Sequence, residues 1–179
     1  MIVFPTVNVS ETKLELIQQV KDVNDFLYQF YKDSPNQLFL SNAVPDGWSI
    51  KRNLKHCTSS NITFGWWIGL PPFFIKLLGK PKSEKVTMES IRATNRFGIT
   101  DYGKYLTGEE VKSDEKTKLL DGFIKSKDYF IKKIESKSEL ELKSLKAPFG
   151  GLNLFNFSLF TLKHNLHHSN VVNIRLHSI

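Results

Sequence analysis

Phe157-Ser-Leu-Phe-Thr-Leu-Lys-His-Asn-Leu-His-His168 is the stretch on which the fold turns. At about 100° per residue, Phe157, Phe160, His164, His168 and then Val171 fall on one face of a single helix. Phe and Val on either side of the histidines point that face towards a core. His164 and His168 are four apart, so their imidazoles project from the same face about one turn from each other. His167 lies at the edge of that arc and His177 well off it. These four histidines all fall in the last sixteen residues, and the fifth, His56, stands alone more than a hundred residues earlier.

Working back along the chain, apolar spacing marks three further long helices. Leu16, Val20, Val23, Leu27 and Phe30 follow a 4-3-4-3 pattern, with Ser10 as the expected cap and Ser34-Pro35 as the stop. A second helix is expected to start at Trp48-Ser49 after the turn Val44-Pro-Asp-Gly47, with Ser49 as its cap. Ile50, Leu54, Cys57, Phe64 and Ile68 form its stripe, and Pro71-Pro72 ends it. The third helix runs from Ser113, read as its cap, to about Ser136, burying Leu119, Leu120, Phe123, Ile124, Phe130, Ile131 and Ile134. Ala147-Pro-Phe-Gly-Gly151 is a turn cluster, and Asn153 caps the fourth helix. Phe73 to Thr107 is irregular and reads as connection, with room for one short helix. The expected fold is all-α, a four-helix bundle with a long irregular connection between the second and third helices. Residues 1–179 form a single domain, a length that can enclose a full core.

Composition narrows the function classes. Forty per cent hydrophobic content and fourteen Phe are values of a globular chain. One cysteine, Cys57, excludes an intramolecular disulfide and fits a reducing compartment. The opening Met-Ile-Val-Phe-Pro-Thr-Val has neither the basic start nor the apolar core of a signal peptide, so the expected location is cytoplasmic. The apolar run Phe64 to Ile75 is broken by Gly65, Gly69 and Pro71-Pro72 and is too short to cross a bilayer. A net charge of +7 raises nucleic-acid binding, but no zinc-finger, helix-turn-helix or RNA-binding signature accompanies it. The lysines of Lys112-Ser-Asp-Glu-Lys-Thr-Lys118 alternate with acids, as on a solvated helix face. Neither nucleic acid nor membrane is expected as a partner. Trp66, Trp67, Phe73 and Phe74 read mainly as core, and no sustained basic amphipathic helix supports surface docking.

The histidines are the one place where the sequence offers chemistry. His56 sits beside the apolar stripe of the second helix, on the flank shared with Asn53, Ser60, Thr63 and Trp67. A side chain there can reach a cavity between helices. Neutral imidazoles bind zinc and similar ions, and a three-histidine site keeps an open position for water or substrate. The competing reading of an i,i+4 histidine pair is two rings at the helix surface or satisfied in the core. Arg175, seven residues after His168, either meets an anionic substrate group or complements the helix dipole at the C-terminus. Cys57 reads as a small buried hydrophobe. No Ser-His-Asp arrangement, phosphate-binding Gly loop or dinucleotide fingerprint is present.

Three stretches carry a family resemblance. Trp48-Ser49 followed by Leu54-Lys55-His56 resembles the "W-S-x…L-x-H" segment of DinB/YfiT-like proteins. His164-Asn-Leu-His-His168 resembles their H-x-x-H-H helix, and Phe149-Gly-Gly-Leu-Asn153 resembles the turn before it in one uncharacterised branch. The resemblance implies a four-helix bundle, often a homodimer, holding a divalent metal, commonly zinc or nickel. Carried over position by position, the ligands are His56, His164 and His168. It also implies a thiol-dependent transferase acting on a small-molecule substrate with a low-molecular-weight thiol such as bacillithiol or mycothiol. Where the family commonly has Gln, three residues after the last histidine pair, this chain has Val171. That removes a polar group able to orient a ligating ring; His167 is the candidate substitute. The alternatives are a metal-dependent hydrolase, or a noncatalytic dimeric bundle whose metal site is structural or vestigial.

Overall fold

A computed structural model of the chain describes residues 2–44, 47–82, 103–106 and 108–178. Their elements are α1 (Lys13–Asp33), α2 (Ile50–Gly69), α3 (Pro72–Lys76), α4 (Ser113–Glu135), α5 (Glu139–Ser144) and α6 (Leu154–His177). To these are added a 3-10 turn at Asn36–Leu38 and the two-residue strands β1 (Ala43–Val44) and β2 (Lys104–Tyr105). The chain is all-α in class. Each of α1 and α2 packs against both α4 and α6. The short helix of the connection is α3. The turn residues Pro45 and Asp46 and the stretch 83–102 of the connection lie outside the described residues. The antiparallel ribbon β1–β2, with Ala43 opposite Tyr105, had no sequence signal. It fastens the end of the connection to the chain just ahead of α2.

Apolar periodicity placed most of the core, but Phe64 is only half-buried. Trp66, Phe73 and Phe74, read mainly as core, are exposed because Pro71-Pro72 ends α2 and turns the chain outward there. Leu16, Val20, Val23, Leu27 and Phe30 are buried, as are Ile50, Leu54, Cys57 and Ile68. Leu119 and Ile124 are half-buried at the flanks of α4, while Leu120, Phe123, Phe130, Ile131 and Ile134 fill its inner face. Two expected caps move. α1 is capped by Thr12, not Ser10, because Thr12 and Glu15 form a reciprocal capping box. Ser10 is instead buried against the Gln19 amide. Ser113 is the first residue of α4 rather than its cap; Lys112 takes that place with no side-chain bond, and Asp114 and Glu115 face the helix dipole. Ser49 and Asn153 cap α2 and α6 as expected. Gly150 and Gly151 take φ of 73° and 69°, a left-handed pair that turns the chain into α6 and that L side chains rarely adopt.

The lysines need a correction. Lys116, within the run read as a solvated face, is buried. Its ammonium donates to the Ser34 carbonyl at 2.6 Å and Asn36 Oδ1 at 2.9 Å, closing the C-terminus of α1. Lys137 does the same for α2 through the Leu70 carbonyl at 2.6 Å. A cation at a helix C-terminus satisfies carbonyls that have no partner within the helix and meets the negative end of its dipole. Burial holds both ammonium groups below the ordinary lysine range.

At the centre, each long helix contributes one polar side chain to a buried layer. The Asn61 amide of α2 donates to Asn24 Oδ1 of α1 (3.0 Å) and Ser126 Oγ of α4 (3.2 Å), and its oxygen accepts from Asn165 Nδ2 of α6 (2.9 Å). All four residues are at most 2 % exposed. Such groups are costly to bury unless paired, so every partner constrains every other. Replacing Asn61 by Ala strips three hydrogen bonds and orphans groups on three helices. We expect a loss of about 2–4 kcal/mol in urea unfolding; a loss below about 1 kcal/mol would show that the layer does not hold the helices together.

Candidate metal centre

α2 presents the row Trp48, Arg52, His56, Ser60, Phe64, spaced four apart, with Trp48 just ahead of the cap. α6 presents Phe160, His164 and His168 at the same spacing. The two helices pack against each other, and where the rows meet three imidazoles come together. The ring nitrogens that His56, His164 and His168 offer all lie within 4.8 Å of one another. His56 Nε2 and His164 Nε2 are 2.8 Å apart, one donating and the other accepting according to tautomer. Ring centroids are 5.0 Å apart for His56 and His164, 4.3 Å for His56 and His168, and 4.6 Å for His164 and His168.

The donor set fits a divalent ion. Nitrogens held at about 2.0–2.1 Å from one zinc sit about 3 Å apart, so small ring rotations suffice to gather three imidazoles around a shared centre. The rings are also in the ligating state. Burial pushes His56 below the ordinary 6.5. His164 falls to about 4, mainly by burial, with His56 and His167 adding repulsion. His168 falls to about 3 from burial, then from His164, His56 and His167. All three are neutral at pH 7, with a lone pair free for a metal.

Aromatic walls hold the triad. The Trp48 indole stacks on His168 at 5.7 Å with 8° between planes and meets His56 edge-on at 5.2 Å. On the other side Phe64 lies 6.1 Å from His164, and Phe160 stacks on it at 5.9 Å. Trp48 is itself anchored through its carbonyl, which accepts from Asn53 Nδ2 (3.3 Å), Tyr105 Oη (3.1 Å) and Arg175 Nη1 (3.2 Å). The Arg175 guanidinium lies against Gly47, where a Cβ would collide with it. Arg52 places its guanidinium 4.5 Å from the centre of the Trp48 ring.

The site residues read from sequence therefore divide. His56, His164 and His168 come together. Asn53 and Arg175 are both buried and converge on the Trp48 carbonyl. His167 is half-buried with its ring 5.6 Å from His168. Trp67 is part-buried and meets Trp66 edge-on at 5.0 Å, at the far end of α2. His177 is exposed, and Val171 is half-buried. Cys57 is buried with its thiol pushed up to about 12 by burial, so it supplies no thiolate at neutral pH. The residue that sequence reasoning undervalued is Trp48, quoted there only as a helix start; its place two steps of four before His56 was the available signal. Tyr105 had none, because it arrives through the β1–β2 ribbon. Comparison with protein-family models, with curated proteins and with solved structures finds no match to this chain.

The depressed histidine values make a pH prediction. Each ring binds its proton more readily in the unfolded chain, near 6.5, than in the fold. Their contribution to stability is therefore complete above about pH 6.5 and is lost as pH falls towards 4 and 3. Melting temperature in a metal chelator should fall from pH 7.5 to 4.5, and His168→Gln should flatten that slope. Parallel slopes for the variant and the parent would contradict a neutral buried His168.

Proposed function

We propose that this chain is a divalent-metal-binding protein of the DinB/YfiT kind, a four-helix bundle using the three-histidine site for thiol-dependent group transfer. The observation that carries this reading is the meeting of His56 with His164 and His168 from a separate helix, within 4.8 Å. Imidazole nitrogens suit zinc and nickel alike. A divalent ion held by His56, His164 and His168 would supply positive charge that favours the thiolate form of a thiol such as bacillithiol or mycothiol at neutral pH, with the proton released to solvent. The chain's own part is to keep three rings neutral and to fix their direction by stacking on Trp48 and Phe160. Phe64 and Phe160 make one side of the site apolar, which favours a small-molecule substrate with an apolar portion. Neither α2 nor α6 contains an Asp or Glu. Hydrolysis, which needs a general base for water, therefore finds no carboxylate on the helices that build the site, and His167 is the one other imidazole beside the triad.

A second reading, a noncatalytic dimeric metal-binding bundle, is favoured by two features. Among the described residues, no carboxylate or carbonyl accepts a hydrogen bond from the triad's remaining ring nitrogens, and Val171 stands where the family has Gln. Such partners ordinarily orient and tune ligating histidines.

Elemental analysis of freshly purified protein tests the common premise. We expect about one zinc or nickel per chain, reduced at least tenfold in His56→Ala, His164→Ala and His168→Ala variants that keep parental helicity. An absence of stoichiometric metal, or a triple variant that retains it, would overturn both readings. Metal without consumption of a low-molecular-weight thiol in the presence of an electrophile would leave the noncatalytic one.

A further inference from the structure

We propose that the junction between α2 and α3 is a docking site for an anionic lipid bilayer. Trp66, Phe73, Phe74 and Leu77 are 51, 62, 50 and 80 % exposed, four large apolar side chains within twelve residues. Pro71 and Pro72 stop α2 and start α3 at once, while Ile75, 2 % exposed, roots the short helix in the core. The α3 segment is thus held in place with its bulky residues outward. Aromatic side chains with an apolar body favour the headgroup boundary of a bilayer.

The charge around them is mostly basic. No Asp or Glu occurs between Asp46 and Glu84, and Lys76, Lys80 and Lys82 fall within that span. Folding adds three more lysines, of which Lys137 is itself buried. Lys133 lays its stem along Gly69, and the Lys137 and Lys146 ammonium groups donate to the carbonyls of Leu70 and Leu78. The Glu141 carboxylate is near enough to feel both Lys76 and Lys137 and offsets part of that charge. A basic collar around exposed aromatics is complementary to anionic headgroups, whereas a second copy of the same face would set lysine against lysine. The sequence reading put a membrane partner aside because no continuous basic amphipathic helix is present. Here the basic half comes from three separated parts of the chain.

Flotation of the full chain with vesicles tests this. We expect binding to phosphatidylcholine vesicles containing one quarter phosphatidylglycerol, little binding to pure phosphatidylcholine, and release by 0.5 M salt. Lys76→Gln/Lys80→Gln/Lys82→Gln should weaken partitioning about a hundredfold, about fivefold per lysine. Phe73→Ser/Phe74→Ser/Leu77→Ser should weaken it at least tenfold with only a small change in melting temperature, since these side chains are half or more exposed. Three results would overturn the proposal: no binding to the anionic vesicles, equal binding by both variants, or self-association that the serine variant abolishes while vesicle binding is absent in the parent.

Discussion

The amide layer of Asn24, Asn61 and Asn165, joined by Ser126, is the constraint on which the rest depends. Apolar side chains tolerate small slips along a helix, but a buried amide does not. Moving α6 by one residue would shift it about 1.5 Å and turn it about 100°, breaking the bond from Asn165 to Asn61. The layer thus selects one register among many that would bury similar apolar area. It also sets the metal centre, because His164 precedes Asn165 directly and His56 lies five residues before Asn61. A second tie, from the Tyr31 hydroxyl of α1 to Ser169 Oγ at 2.9 Å, fixes the same helix one turn further on.

Within that frame the triad is built from stacking rather than from charge. The helices that carry it are free of carboxylates, and its walls are indole and phenyl rings. Desolvation therefore dominates and keeps the imidazoles neutral, where neighbouring acids would have charged them. The polar groups nearby act one step removed: Asn53, Tyr105 and Arg175 hold a backbone carbonyl, the carbonyl holds Trp48, and Trp48 sets the plane of His168. Three elements distant in sequence thus converge on one ring.

How much of this was legible in the sequence depends on the range of the interaction. Apolar spacing reveals helices because burial repeats with the helix period, and it placed four long helices and their inner faces. The i,i+4 histidine pair was legible for the same reason, and His56 stood out by its isolation. Caps were legible to within two residues: an Oγ at Ser10 or Thr12 is equally able to cap, and the capping box with Glu15 decides between them. Lys116 looked solvated because its neighbours are charged; only folding brings the Ser34 carbonyl within its reach. The Trp48 clamp was beyond local reasoning, since Tyr105 and Arg175 lie 57 and 127 residues away. The resemblance to DinB/YfiT-like proteins rests on the Trp-Ser start, the histidine motifs and the Phe149-Gly-Gly-Leu-Asn153 turn.

The two fastenings of the connection carry a consequence for the helix that bears the histidine pair. Lys82 donates its backbone N–H to the Gly151 carbonyl at 2.9 Å, beside the start of α6, and the β1–β2 ribbon brings Tyr105 to the carbonyl that also receives Arg175, near the helix's end. The chain between them leaves from one end of a 24-residue helix and rejoins at the other, about 36 Å away. The helix that carries His164 and His168 is thus braced near both of its ends by chain that lies far from it in sequence.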